Sequence, residues 1–245
     1  MLFRSALTLG DTHKGQDVTE RWQESLGDLA PPAGLAVPTE SAFHDGIGVT
    51  ALRCGSGREA TAAFLIHGPR GGGHSHYDQL SITLYALGHE LATDIGYPDS
   101  TDPLRGRWWN RTAAHNTVVV DGRNQAQSMG ALEVFAAAGR VRVAQAICTN
   151  AYPELTDYRR TVVLVGEAAE PTATRYLVDV FHVIGGTLHD WAFHAQSEPE
   201  LPESGFALDG VTAVAKGGAS LLEHTPGAQP DVMGYDCLTD RKSVG

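Results

Sequence analysis

Gly71-Gly72-Gly73-His74-Ser75-His76-Tyr77-Asp78-Gln79-Leu80-Ser81-Ile82-Thr83-Leu84-Tyr85-Ala86-Leu87 is the stretch on which the reading of the chain turns. Successive glycines free the backbone for positive φ and for close approach to another group. Two histidines and a carboxylate follow at once. In an extended segment, residues two apart share a face, so His74, His76 and Asp78 project together. From Leu80 to Leu87 the chain alternates apolar and polar, the pattern of a half-buried strand. Gly88 and His89 suit a turn, and Glu90 to Asp94 returns as the next strand. The stretch therefore predicts an antiparallel hairpin led in by a loop rich in glycine and histidine.

Further along, Ala113-Ala114-His115-Asn116 enters Thr117-Val118-Val119-Val120-Asp121-Gly122, a strand and a turn. His76, Asp94 and His115 thus fall at the ends of separate strands that can converge. Two imidazoles, one carboxylate and an open position suit zinc in tetrahedral coordination, with ligands at about 2.0–2.2 Å. Taken singly, each of the three reads as an ordinary polar residue at a strand end. The grouping is what points to a site.

The same strand grammar runs outward in both directions. Val49 to Cys54 reads as a first strand, Gly55-Ser56-Gly57 as a turn, and Ala60 to His67 as a strand apolar enough to be buried on both faces. Downstream, Ala131 to Gln145 alternates loosely, and Arg159 to Val165 pairs with Arg175 to Val183 around a polar connection. Thr187 to His194 reads as another strand, and the tail from Ser197 carries weaker ones. His189 and Asp190 are neighbours, so in a strand they face opposite ways and a structural role is expected. Strand after strand with short turns predicts an all-β fold, a large antiparallel β-sandwich over residues 41–245. Upstream, Asp17 to Leu26 suits a short helix capped by Asp17, and Pro31 to Pro38 is a breaker-rich boundary. Residues 1–40 are then a linker, or the remnant of a helical neighbour.

The loop from Gly96 to Asn110 carries Trp108 and Trp109, whose flat faces suit stacking on the C–H face of a sugar. One of the two is expected on the surface and one in the core. Tyr97 is the local candidate for proton transfer, while Tyr77 reads as packing. Arg70 can face a substrate carboxylate or fix its own loop through carbonyls. Arg105, Arg107 and Arg111 form a local basic cluster or a solvated loop. The formal net charge of −11 argues against nucleic acid and against an anionic membrane surface, and an acidic ligand would need such a local cluster. No apolar run approaches the length of a membrane span, and the N-terminal residues form no signal-peptide pattern. Cys54, Cys148 and Cys237 lack metal-knuckle spacing and are expected as free, buried thiols.

The motif Gly71 to Ser81, the later Glu90-Leu91-Ala92-Thr93-Asp94-Ile95-Gly96-Tyr97, and the run from Trp108 to Gly122 resemble the heparinase II/III-like polysaccharide lyases. The resemblance is in character from about Gly48 to His194 and sharpest between His67 and Gln125. It implies an enzyme with an N-terminal α/α toroid and a C-terminal β-sandwich, and an active site in the cleft between them. By this likeness His76, Asp94 and His115 match the zinc ligands, the one zinc ion being mainly structural. His74 matches the residue that neutralises the substrate carboxylate or assists proton transfer. The family's tyrosine acid/base and its Asn-His pair come from the toroid, and nothing here matches them. The resemblance therefore implies the sandwich part of a lyase that cleaves a uronic-acid-containing glycan, heparan-like or alginate-like, by β-elimination. It suggests a periplasmic or secreted setting. With His74 and Tyr97 as catalytic candidates, Arg70, Arg107, Trp108 and Trp109 are the substrate-binding ones. A fourth metal ligand is not apparent. Two other readings stay open: a non-catalytic carbohydrate-binding sandwich, and a zinc-dependent hydrolase.

Overall fold

A computed structural model describes residues 38–69, 75–97, 101–102, 105–168 and 174–194. Strands β1 (Ala42–His44), β2 (Val49–Cys54), β3 (Thr61–Ile66), β4 (Ile82–Ala86) and β5 (His89–Ala92) form one sheet in that order. Strand β6 (Val118–Val120) lies outside it. A second meander, β7 (Ala131–Ala138), β8 (Val141–Ile147), β9 (Asp157–Val165) and β10 (Tyr176–Ile184), forms a four-stranded sheet. β11 (His189–Trp191) pairs with β6 as a separate two-stranded ribbon. Every strand pairing is antiparallel. The fold is the expected all-β antiparallel sandwich, and no helix among the described residues is long and apolar enough to cross a membrane.

The core follows from the alternation. Leu52 and Cys54 of β2, Ala63 and Leu65 of β3 and Ile82 of β4 share one cluster with Ala144 and Ala146 of β8 and Tyr158, Val162 and Leu164 of β9. Odd-numbered residues of β9 point the other way and are only half-buried. The small residues of β8 leave room for the two tyrosine rings, Tyr152 and Tyr158, which meet edge to face at 5.6 Å.

Two tight features place the loops. Leu87 (φ 54) and Gly88 (φ 78) both lie in the left-handed region, which makes the β4–β5 connection a primed hairpin turn. Gly48 (φ +60) touches Gly68, and a Cβ on Gly48 would sit 1.8 Å from the Gly68 Cα. The His67 N–H donates to the Gly48 carbonyl at 2.7 Å across this contact. It pins the point where the chain leaves β3 for the histidine loop.

Several expectations are corrected. β3 is not buried on both faces: its residues alternate between buried and half-buried. The strand expected from Leu80 begins at Ile82, since Leu80 sits in a turn with φ 58. The turn expected at Gly88-His89 falls one residue earlier, and His89 already pairs with Ala86. The stretch from Ala131 to Gln145, read only as loosely alternating, is a hairpin folded at Gly139, which has φ 53. The loop before Asn110 closes with a wide helical turn over Arg105–Trp109. Cys54 and Cys148 are free and buried, while Cys237, the 17–26 helix and the tail from Ser197 lie outside the described residues.

Candidate metal centre

The ends of β3 and β5 and the starts of β4 and β6 gather at one end of the sandwich. Three loops leave from there. One carries His76 between β3 and β4, one carries Asp94 just past β5, and one carries His115 just before β6. One ligand-type atom from each of these side chains lies within 4.8 Å of the others. The His115 Nδ1 stands 3.2 Å from the Asp94 Oδ2, and the rings of His76 and His115 have centroids 5.0 Å apart.

A buried polar framework holds these loops. Arg160 of β9 is fully buried and donates from Nε and Nη2 to the two Asp179 carboxylate oxygens, at 2.8 and 2.6 Å. Its Nη1 donates to the carbonyls of Leu80, at 2.6 Å, and of Asn116. One guanidinium therefore ties the His76 loop to the His115 loop. Asn116 donates from Nδ2 to the Ile82 and Thr93 carbonyls, each at 2.9 Å, and so reaches the Asp94 loop as well. Gln79 donates to the Gly68 carbonyl at 2.7 Å, and its own N–H donates to the Gln125 side chain at 2.7 Å. Gln125 in turn donates to the Tyr158 hydroxyl at 2.9 Å. Burial pushes the Tyr158 phenol well above its ordinary range, so it serves here as a neutral hydrogen-bonding group.

The electrostatics couple Asp94 and His115. Burial alone would raise the Asp94 carboxyl. The hydrogen bond and charge of His115, the Gly96 N–H and the charge of His76 outweigh it and hold the pKa below the usual value. For His115, burial works to lower the pKa, but the hydrogen bond and charge of Asp94, with Asp78 beyond, raise it. The His115 side chain is wholly buried, while Asp94 is 40% exposed, so the pair opens to solvent on the carboxylate side. The His115 Nε2 is buried, and the Trp109 backbone adds to the upward pull on the ring.

This donor set fits a divalent cation. Ligand atoms about 2.0–2.2 Å from a tetrahedral ion stand roughly 3.3–3.6 Å apart. The Asp94–His115 separation of 3.2 Å falls just short of that spacing, and the widest gap, up to 4.8 Å, closes with a shift of about 1 Å, well within the play of a side chain about its torsions. Two neutral-capable imidazoles and a carboxylate suit zinc better than calcium or magnesium, which favour all-oxygen shells.

The remaining candidates fall as follows. Tyr97 is 41% exposed and stacks on His76, with centroids 5.8 Å apart and planes 7° from parallel. The Arg105 guanidinium carbon lies 5.2 Å from the Tyr97 ring centroid, and the group donates to the Tyr97 hydroxyl. Trp108 and Trp109 do not divide into a core and a surface residue: both are half-buried, because the wide turn that carries them lies along the surface. Trp108 meets His194 edge-on at 5.6 Å, and the Trp109 indole nitrogen is buried with no acceptor among the described residues. Arg107 is exposed. Arg111 is engaged with the Gly106 carbonyl, and fixes the loop. Tyr77 donates its backbone N–H to the Asn110 carbonyl at 3.2 Å. His189 bonds to the Gly185 carbonyl at 2.8 Å, a local structural contact. Arg70 and His74 lie outside the described residues. Sequence reasoning missed Arg160, Gln79 and Gln125. The signal available was a charged or amide side chain on the inward phase of a strand or beside the motif, where only a buried partner makes it tolerable.

The chain belongs to the family described as heparinase II/III-like, C-terminal, whose model matches residues 36–225. Its fold is similar to that of a heparinase III solved with methylated lysines, at 22% identity and a TM-score of 0.51. It is similar also to a heparan sulfate lyase from Pedobacter heparinus, at 21% identity and a TM-score of 0.51. Each similarity covers 67% of this chain and 24% of the other, so the chain spans about a quarter of the length of these solved relatives. Among curated protein sequences none matches significantly.

Proposed function

We propose that this chain is the β-sandwich part of a polysaccharide lyase acting on a uronic-acid-containing glycan, with residues 41–245 as the sandwich and 1–40 as a linker or helical remnant. The observation that carries the reading is the convergence of His76, Asp94 and His115 within 4.8 Å in a member of this family. We assign these three as zinc ligands. Zinc there supplies positive charge and a cross-link between three loops.

The reaction is β-elimination. A base takes the proton α to the uronate carboxylate, and the electron pair forms a carbon–carbon double bond. The 4-O-glycosidic oxygen then leaves with its bonding electrons and takes up a proton. Because the C–H proton is weakly acidic, charge that develops on the carboxylate side needs positive or hydrogen-donating groups close by. His74 is assigned to that task and Tyr97 to proton transfer, with Arg70, Arg107, Trp108 and Trp109 holding the sugar. The exposure of Tyr97 and its stacking on His76 support that assignment. The base and acid that complete the cycle are assigned to a helical toroid packed over this end of the sandwich.

The span of the solved relatives favours a second reading, a sandwich that binds acidic glycan without turning it over by itself. Absorbance of the unsaturated uronate separates the two when the chain is mixed with heparan or alginate oligosaccharides. We expect little or no rise from this chain alone and a clear rise when the toroid is joined to it. Reducing ends without that absorbance would mean hydrolysis instead. Metal analysis tests the ligand assignment. The wild type should carry about one zinc per chain and His76→Ala much less, and an unchanged content in the variant sinks the assignment.

A further inference from the structure

Two strands of the second sheet carry an inward-facing arginine, and only one of the two has a counter-ion. Arg160 of β9 is neutralised by Asp179. Arg142 of β8 lies on the same inward phase as Ala144 and Ala146 and is 8% exposed. It stands four residues along β8 from Ala146, the partner of Arg160. That is about 13 Å along the strand, toward the end opposite the metal centre. The Arg142 Nη1 donates to the Gly166 carbonyl at 3.1 Å, and among the described residues no carboxylate pairs with this side chain. Glu167, the acid beside that carbonyl, is paired instead with Arg140, at 2.8 Å. A guanidinium stays charged, and a buried charge is ordinarily paired.

Arg142 lines a cavity of about 440 Å³ between the β7–β8 turn and the end of β2. Small residues of the wall, among them Ser41, Gly55 and Gly139, leave this space. Arg53 lines it too. The Arg53 Nη1 donates to the Glu40 carbonyl at 3.0 Å, and among the described residues this arginine has no carboxylate partner either. Burial lowers its pKa, with no acid to offset the cost. Arg175 adds positive charge at the wall: it lies against Gly55 and donates to the Glu59 carbonyl at 2.6 Å. Glu40 is the one acid in the lining, and it is exposed and paired with neither arginine.

We propose that this cavity is an oxyanion site, in which Arg142 and Arg53 hold a carboxylate or sulfate group. It lies at the far end of the sandwich from His76, Asp94 and His115 and does not depend on the lyase reading. The anion supplies Arg142 with the counter-ion that Asp179 gives Arg160. A guanidinium edge offers paired donors that match such a group. The contact of Arg142 with Gly166 holds the side chain in place beforehand, which lowers the entropy cost of pairing. In a chain of net charge −11, an anion binds only where positive charge is gathered in this way. The volume suits an oxyanion carried on a sugar-sized body better than a bare ion.

The test is binding by the full chain, measured by calorimetry at fixed ionic strength. The probes are inorganic sulfate, a heparan sulfate hexasaccharide and an alginate hexasaccharide. The wild type should bind at least one of them. Arg142→Met should weaken that binding by about tenfold or more, the loss of one charge-assisted contact. Arg53→Gln should weaken it in the same direction, and Arg142→Lys, which keeps the charge but not the fork, should recover part of the loss. The bound probe should also raise the melting temperature of the wild type and leave that of Arg142→Met where it was. A merely structural arginine would shift the melting temperature equally with and without the probe. Arg142-dependent binding that is tightest for a hexasaccharide makes a sugar the source of the oxyanion, and Arg142-dependent binding of sulfate alone makes it a free ion. A wild type that binds no probe, or an Arg142→Met variant that binds as tightly as the wild type, overturns the proposal. If Arg142→Met does not fold, Arg142→Lys decides, and an affinity equal to that of the wild type overturns the proposal.

Discussion

Arg160 shows how one side chain can govern a site it does not enter. It is wholly buried, Asp179 neutralises it, and its remaining donors go to the carbonyls of Leu80 and Asn116. Removing one partner of a buried ion pair strands the other, so Asp179→Ala should cost about 3–5 kcal/mol of stability, seen as a lower urea midpoint. Replacing both residues with apolar ones is often harmless elsewhere. Here it strands two carbonyls, so Arg160→Met with Asp179→Leu should still cost about 1–3 kcal/mol. His67 gives a pH dependence. Burial lowers its pKa, against the opposing pull of Asp45 and of its own backbone hydrogen bond, and its Nε2 bonds to the Thr50 hydroxyl at 2.9 Å. The folded state thus prefers the neutral ring. Its contribution is whole above the unfolded pKa of about 6.5 and is lost as pH falls below that toward the folded value. Chemical denaturation at pH 7 and pH 5 should show a larger drop for the wild type than for His67→Gln.

At the scale of the element, the β4–β5 hairpin carries an avoidable strain. Leu87 holds φ 54 and is 69% exposed, so its side chain gains little from burial there. Asparagine tolerates the left-handed region and favours a primed turn before glycine, so Leu87→Asn should stabilise by roughly 0.5–1 kcal/mol and raise the melting temperature. The strands themselves were readable because alternation leaves a direct mark, as in β9, where every even residue is buried. The hairpin inside 131–145 was not, because Ala136-Ala137-Ala138 carries no alternation and Gly139 alone marks the fold-back. The strand-end positions of His76, Asp94 and His115 could be read from the same patterns. What braces their loops could not. Alternation puts Arg160 on the inward phase of β9, but its partner Asp179 lies on the next strand, across a connection of unremarkable sequence. Trp108 and Trp109 share the point: adjacent residues on a wide turn need not take opposite sides, as neighbours in a strand do.

For the molecule as a whole, metal and stability are linked. A ligand that binds only the folded state stabilises it by about 2.7 kcal/mol at a hundred times its dissociation constant. Zinc should therefore raise the melting temperature of the wild type, and a chelator should lower it, while His76→Ala melts at the same temperature with or without zinc. A melting temperature of wild type indifferent to both additions would count against zinc at this centre. The brace from β9 to the two histidine loops also bears on the order of events during synthesis. When a nascent chain has just cleared the ribosome as far as residue 120, the two imidazoles and the acid are already outside, yet Arg160 and Asp179 are still to come. Up to that moment the loops are linked only by Asn116 and the pairings of the first sheet, without the brace from the second. An arrested chain ending near residue 150 should capture zinc far more weakly than one ending past residue 194, so the second sheet acts as the clasp that closes what the first has laid out.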